Sequence, residues 1–157
     1  MKIILTKQEM FYSGVAGLSR QLESVVNNRS PRFSEKYSGE LLGYHIYGAM
    51  AEMVVCKAFG WYWDYSMNTF HVSDIPGKNI DVRFSRMNTL KIRPDDNNII
   101  VVSVSGDMPN FKVNGWMYSE DGKRPQWERD YNNQGRPAYF VPHEELLNPY
   151  DLKDVVS

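Results

Sequence analysis

Four side chains of this 157-residue chain have the types and spacing that metal and phosphate chemistry use: Glu52, Asp74, Asp81 and Arg83. A helix turns about 100° per residue, so Glu52 shares one helical face with His45, Gly48, Ala49, Val55, Cys56 and Phe59. An acid on so apolar a face is costly to desolvate unless it is paired, protonated or bound to a cation. A buried ion pair with an arginine answers that need, and so does a metal ion. Further along, Ile80, Val82 and Phe84 alternate with Asp81, Arg83 and Ser85. Period-two alternation places Asp81 and Arg83 on one face of a strand, about 6–7 Å apart. Asp74 precedes a Pro-Gly turn into that strand, so a hairpin would set it beside Asp81. Two neighbouring acids repel unless a cation lies between them, and magnesium accepts one or two carboxylates while keeping waters for substrate phosphate.

The other reactive residues are less ordered by spacing. His45 lies two turns before Glu52 on the same face, within range of a metal site or a phosphate, though a partly buried histidine with a backbone partner is the commoner meaning of such a position. Lys78 sits in the turn before the strand. His71, His143 and Cys56 make no zinc pattern, and Cys56 reads as a small core residue. No P-loop, nucleophile elbow or dinucleotide glycine signature is present. Arg29, Arg32 and Lys36 fall in a breaker-rich stretch, NNRSPRFSEKYSG, that reads as an exposed basic loop suited to a phosphate backbone or to plain solvation. Tyr37, Trp127 and Tyr131 lie in polar segments with Lys123, Arg124 and Arg136, where aromatic faces could stack on bases.

The elements that must hold these residues follow from periodicity. Thr6 and Glu9 have capping-box spacing, and Phe11, Val15, Leu18, Leu22 and Val25 or Val26 recur helically, predicting an amphipathic helix over 7–26. A second helix is predicted over 40–59 with Gly60 beyond its end. Only Glu52 and Lys57 are charged between Leu41 and Trp63, so this helix belongs in the centre of the domain. Strands are expected near 61–65, 69–73, 79–85, 99–104, 111–117 and 138–141, the fourth an interior strand with the fifth beside it. Residues 119–137 read as one long polar loop, and Leu146, Leu147 and Leu152 as a tail packing back on the body. Helices followed by a mostly β region give an α+β or mixed α/β fold, N-terminal helices on a mixed central sheet, in one domain over 1–157.

Composition sets the outer bounds. With 42% hydrophobic and 24% charged residues the chain is an ordinary globular one. A single cysteine excludes a disulfide scaffold and fits a reducing compartment. The lack of a basic-then-apolar leader and of an 18-residue apolar run leads to an expected cytoplasmic, non-membrane setting. Net charge is −1, so any hold on nucleic acid must be local.

Glu52, then Asp74, then Asp81-x-Arg83 resembles the PD-(D/E)XK nuclease superfamily, in which a helix glutamate, an aspartate and a (D/E)-x-K pair gather at a sheet edge around magnesium. The segments GAMAE, IDVR, GDMPNFKVNGWM and GRPAYFVP are similar to small phage proteins assigned to it, a likeness spanning about residues 43 to 142. The resemblance implies a restriction-endonuclease-like core and a magnesium- or manganese-dependent DNA nuclease, in the host cytoplasm if phage-encoded. Glu52, Asp74, Asp81 and the Val82 carbonyl would hold the ion, and Arg83 would meet the scissile phosphate. Arg29, Arg32, Lys36, His45 and Lys78 would contact nucleic acid. Arg83 stands where the superfamily usually has lysine, and arginine stays protonated, so it stabilises charge but takes no proton from water. Lys78 is the candidate substitute. The alternatives are a nuclease fold that binds nucleic acid or a host protein without cleaving, and a small interaction protein whose acids are structural, Arg83 neutralising both Glu52 and Asp81. A homodimer stays open.

Overall fold

The computed structural model describes residues 1–27, 38–65, 73–131 and 135–156. It is a three-layer α+β arrangement. Strands β1 (Lys2–Ile4), β5 (Asn110–Tyr118), β4 (Ile100–Asp107) and β2 (Ile80–Phe84) form the main sheet in that spatial order, with β2 parallel to β4 and the other pairs antiparallel. A smaller antiparallel sheet runs β3 (Thr89–Ile92), β7 (Ala138–Pro142), β6 (Glu128–Arg129). Helix α2 (Ser38–Phe59) covers one face of the main sheet, α1 (Lys7–Val26) packs on α2, and the small sheet packs on the other face. Among the described residues no helix is long and apolar enough to cross a membrane.

Helix α2 sits centrally because it is apolar nearly all round: Ala49, Ala51, Val54 and Val55 are completely buried. Helix α1 starts where the capping box demands, the Glu9 amide donating to Thr6 Oγ1 (3.2 Å) and the Thr6 amide to Glu9 Oε2 (2.6 Å). Its orientation is unusual. The face turned to α2 carries Ser13, Ala16, Gly17 and Arg20, while Phe11, Val15, Leu18, Leu22 and Val25 are exposed. A stripe of that kind ordinarily turns inward. Small residues win the inward place because they let the helices touch: a Cβ on Gly17 would lie 2.5 Å from Ile46 Cα.

The strand expected at 61–65 is absent. Trp61 bonds back to Cys56 (2.9 Å) and stacks on Phe59, and Trp63 donates to Glu52, so these two rings pack on α2 while Tyr62 stays exposed. The strand expected at 69–73 lies outside the described residues except Ser73, which is not in a strand. The segment 119–137 is less of a loop than expected: it holds a helical turn α3 (Ser119–Gly122), a 3₁₀ turn at Pro125–Trp127 and β6. Trp127 is buried there in the second core, so it is unavailable for base stacking. In the tail, Leu152 opens a last helical turn, α4 (Leu152–Val155), and is fully buried, Leu146 is partly buried and Leu147 stays exposed.

Candidate functional site

The site is built on β2, an edge strand of the main sheet. Pairing of Ile80, Val82 and Phe84 toward α2 leaves Asp81 and Arg83 on the opposite face, level with Val101 and Ser103 of β4 and facing the small sheet. The Pro-Gly turn brings Asp74 back along the free edge. Its amide donates to the Ile80 carbonyl (3.1 Å) and its Oδ2 accepts from the Val82 amide (2.7 Å). Asp74 therefore closes the edge as a short extra strand would.

This places Asp74 and Asp81 in hydrogen-bonding contact, as the hairpin spacing predicts. Burial, that contact and the charges of Asp81 and Glu52 push the Asp74 pKa well above the ordinary carboxylate value, against the pull of the Val82 amide. Burial also opposes ionisation of Asp81, but the Arg83 charge and the hydrogen bonds from Asp74 and Arg83 outweigh it and its pKa is lowered. The pair thus splits, Asp74 held toward the protonated form and Asp81 toward the ionised one. Arg83 donates from Nε (2.6 Å) and Nη2 to Asp81 Oδ2, and from Nη2 to Asp96 Oδ1 (3.0 Å) and Oδ2 (3.2 Å). Its remaining nitrogen, Nη1, is buried without a partner among the described residues.

Glu52 is buried as expected, but it stands on the α2 side of the sheet, across from Asp81. Both its oxygens are taken by Arg20, at 2.5 and 2.7 Å, and Trp63 Nε1 adds a bond at 3.1 Å. The bidentate fork satisfies a buried carboxylate, and Glu52 is committed to it. Glu52, Asp74 and Asp81 consequently do not converge as one ligand set. Among the described residues no group of three or more His, Cys, Asp or Glu side chains is arranged to hold a metal ion. The idea that Arg83 neutralises Glu52 fails for the same reason: Arg83 serves Asp81 and Asp96, and Arg20 serves Glu52.

Val82 meets Asp74 through its amide. Lys78 Nζ donates to the Val156 carbonyl (2.8 Å) and lies 4.7 Å from the Trp61 ring, so it is committed there and not to the acid pair. His45 is half-buried, and burial and the Arg20 charge lower its pKa, which keeps it neutral. Arg29, Arg32, Lys36, Tyr37 and His71 lie outside the described residues. Tyr131 is exposed, its ring edge-on to Phe140. Sequence reasoning missed two residues that matter. Asp96 is hidden in a Pro-Asp-Asp run that reads as a turn, where its Oδ2 indeed accepts from the Arg93 amide (2.6 Å). Arg20 was visible only as a charge on the helix face opposite the apolar stripe.

Comparison of the chain with protein-family models, with curated proteins and with solved structures finds no match.

Proposed function

We propose that this chain is a magnesium- or manganese-dependent nuclease of PD-(D/E)XK type, acting on DNA, with the ion held by the Asp74–Asp81 pair. The observation that carries the reading is that pair: two carboxyls in contact at a sheet edge, Asp74 bonded along β2 beside Asp81, their pKa values pushed apart. A divalent cation would stabilise the doubly ionised pair, whose ionisation burial and mutual repulsion oppose. Two carboxylates are within what magnesium needs, since it retains several waters. Bound there, the ion would supply Lewis acidity and a water of lowered pKa. The residues around it have separate tasks. Val82 orients Asp74, and Asp96 holds Arg83 from behind so that its guanidinium stays level with Asp81. Nη1 is buried, so Arg83 would act on a phosphate at the ion through its charge and not through that nitrogen. Glu52 is a positioning residue in this scheme: with Arg20 it pins α1 to α2, and its charge adds to the field at Asp74.

A second reading rests on Arg83 itself. Its ion pairs with Asp81 and Asp96 already supply positive charge to the acids, which suits a nuclease fold that binds nucleic acid without cutting it.

Titration of thermal stability with magnesium and manganese, on wild type and Asp81→Asn, separates the two. The nuclease reading expects ion-dependent stabilisation of wild type that Asp81→Asn abolishes, and ion-dependent cleavage of single-stranded, duplex or branched DNA. No ion response, with DNA binding that weakens as salt rises, supports the second reading. No ion response and no DNA binding overturns both.

A further inference from the structure

The exposed face of α1 is an apolar stripe. Phe11, Val15, Leu18, Leu22 and Val25 follow each other at spacings of four, three, four and three, the seam of a two-helix coil. All five are 44–67% exposed, and Tyr12 and Val26 beside them are 42% and 78% exposed. Together they present roughly 700 Å² of apolar surface, more than the largest patch of a typical monomer and, doubled to about 1,400 Å², within the range of a stable interface.

We infer that a second copy of this chain packs on this face, the two α1 helices running antiparallel about a two-fold axis at Leu18. Charge favours an identical partner. Between Glu9 and Glu23 the only charged residue of α1 is Arg20, and it is turned inward onto Glu52. The seam and its flanks, Tyr12, Gly14, Ser19, Gln21 and Val26, hold no charge to repel a copy and no cation to attract nucleic acid. Size favours the antiparallel sense: it sets Phe11 against Val25 and Val15 against Leu22, large against small, whereas a parallel pair stacks Phe11 on Phe11. Opposed helix dipoles add to it. Shape agrees. A groove of about 290 Å³ opens between the stripe and the Leu42–Ile46 ridge of α2, floored by Gly14, where a Cβ would touch nothing. The two-fold places the partner's Leu22 over that floor.

Sedimentation of the full chain across a concentration series tests the inference, with Leu18→Arg as the interface variant. Leu18 is 44% exposed, so the variant folds, and placing like charges across the axis raises the dimer dissociation constant roughly thirtyfold or more. Single cysteines then test the geometry under mild oxidation, the native Cys56 being buried. Leu18→Cys cross-links to its own copy, and Phe11→Cys does not. A wild type that is monomeric at every concentration overturns the proposal, and its retention by neutral phospholipid vesicles would assign the face to a lipid surface. A dimer that Leu18→Arg leaves intact, or one that cross-links through Phe11→Cys, overturns it equally.

Discussion

Asp74 does two things that oppose each other. It closes the edge of β2 as a hydrogen-bond acceptor for Val82, which suits a carboxylate, and it touches Asp81, which suits a neutral acid. Its raised pKa has a definite sign in stability. The folded state binds the proton that the unfolded state has lost, so Asp74 favours folding at low pH and the contribution fades as pH rises through its raised value. Asp81 is the reverse: its lowered pKa contributes stability above the ordinary carboxylate value, lost as pH falls through the lowered one. Asp74→Asn copies the protonated acid, keeping an oxygen for Val82 and offering an N–H to Asp81. The variant is therefore expected to be more stable than wild type at neutral pH. The gap in melting temperature opens as pH rises from the ordinary carboxylate value, which a pH series of thermal melts without ions reads directly. Under saturating magnesium the proposed site reverses the order, because only wild type gains. Identical pH profiles for the two proteins would show that Asp74 carries no shifted proton. Much of this pair was legible beforehand, since period-two alternation and a Pro-Gly turn are local signals. The partners of the charges were not. A helix face announces that Glu52 needs a counter-charge, but Arg20 lies 32 residues away and Asp96 13 residues from Arg83, separations that only the packed chain closes.

Helix α1 illustrates how an element is placed by its least conspicuous residues. Its limits agree with the expected 7–26, because a capping box and a regular apolar repeat are both written within the helix. Its inward face is set instead by Gly17, whose missing side chain lets the backbone of Ile46 approach. Gly17→Ala forces a methyl against backbone and is expected to destabilise by about 1–3 kcal/mol despite the better helix propensity of alanine. Gly48→Ala, in α2 with nothing near the new atom, is expected to stabilise by about 0.5–1 kcal/mol. Urea unfolding of both decides it, and equal signs would mean that propensity, not contact, governs the crossing. Helix α2, β2, β4, β5 and β7 were likewise readable. The strands β1, β3 and β6 were not, being two to four residues long and existing only through partners in β5 and β7. At Trp61–Tyr65 the error runs the other way: aromatic residues favour strands, yet here the Trp61 and Trp63 rings pack on α2.

Two cores lie on opposite faces of the main sheet, and the same strands serve both. On β4, Val102 and Val104 join the helix-side core and Val101 the second. On β5, Trp116 and Met117 divide likewise. Neither core can lose its packing without exposing the reverse side of strands the other needs, so the layers should melt together. The last residues strengthen this coupling. Leu147 bonds with Trp116 (2.9 Å), Trp116 Nε1 donates to the Asn148 carbonyl (2.9 Å), Leu152 is fully buried in the helix-side core, and Val156 receives Lys78 from the turn after Asp74. Leu152→Ala is expected to cost about 2–5 kcal/mol, as for other fully buried leucines. Because the loss is transmitted through shared strands, far-ultraviolet circular dichroism and tryptophan fluorescence should still report one coincident transition, moved to lower urea. Trp127 lies in the second core and Trp61, Trp63 and Trp116 in the helix-side core with Leu152, so fluorescence samples both. A fluorescence transition that separates from the dichroism in the variant would show that the two layers melt apart. The Asp81–Arg83–Asp96 network would then rest on a boundary between two units instead of within one.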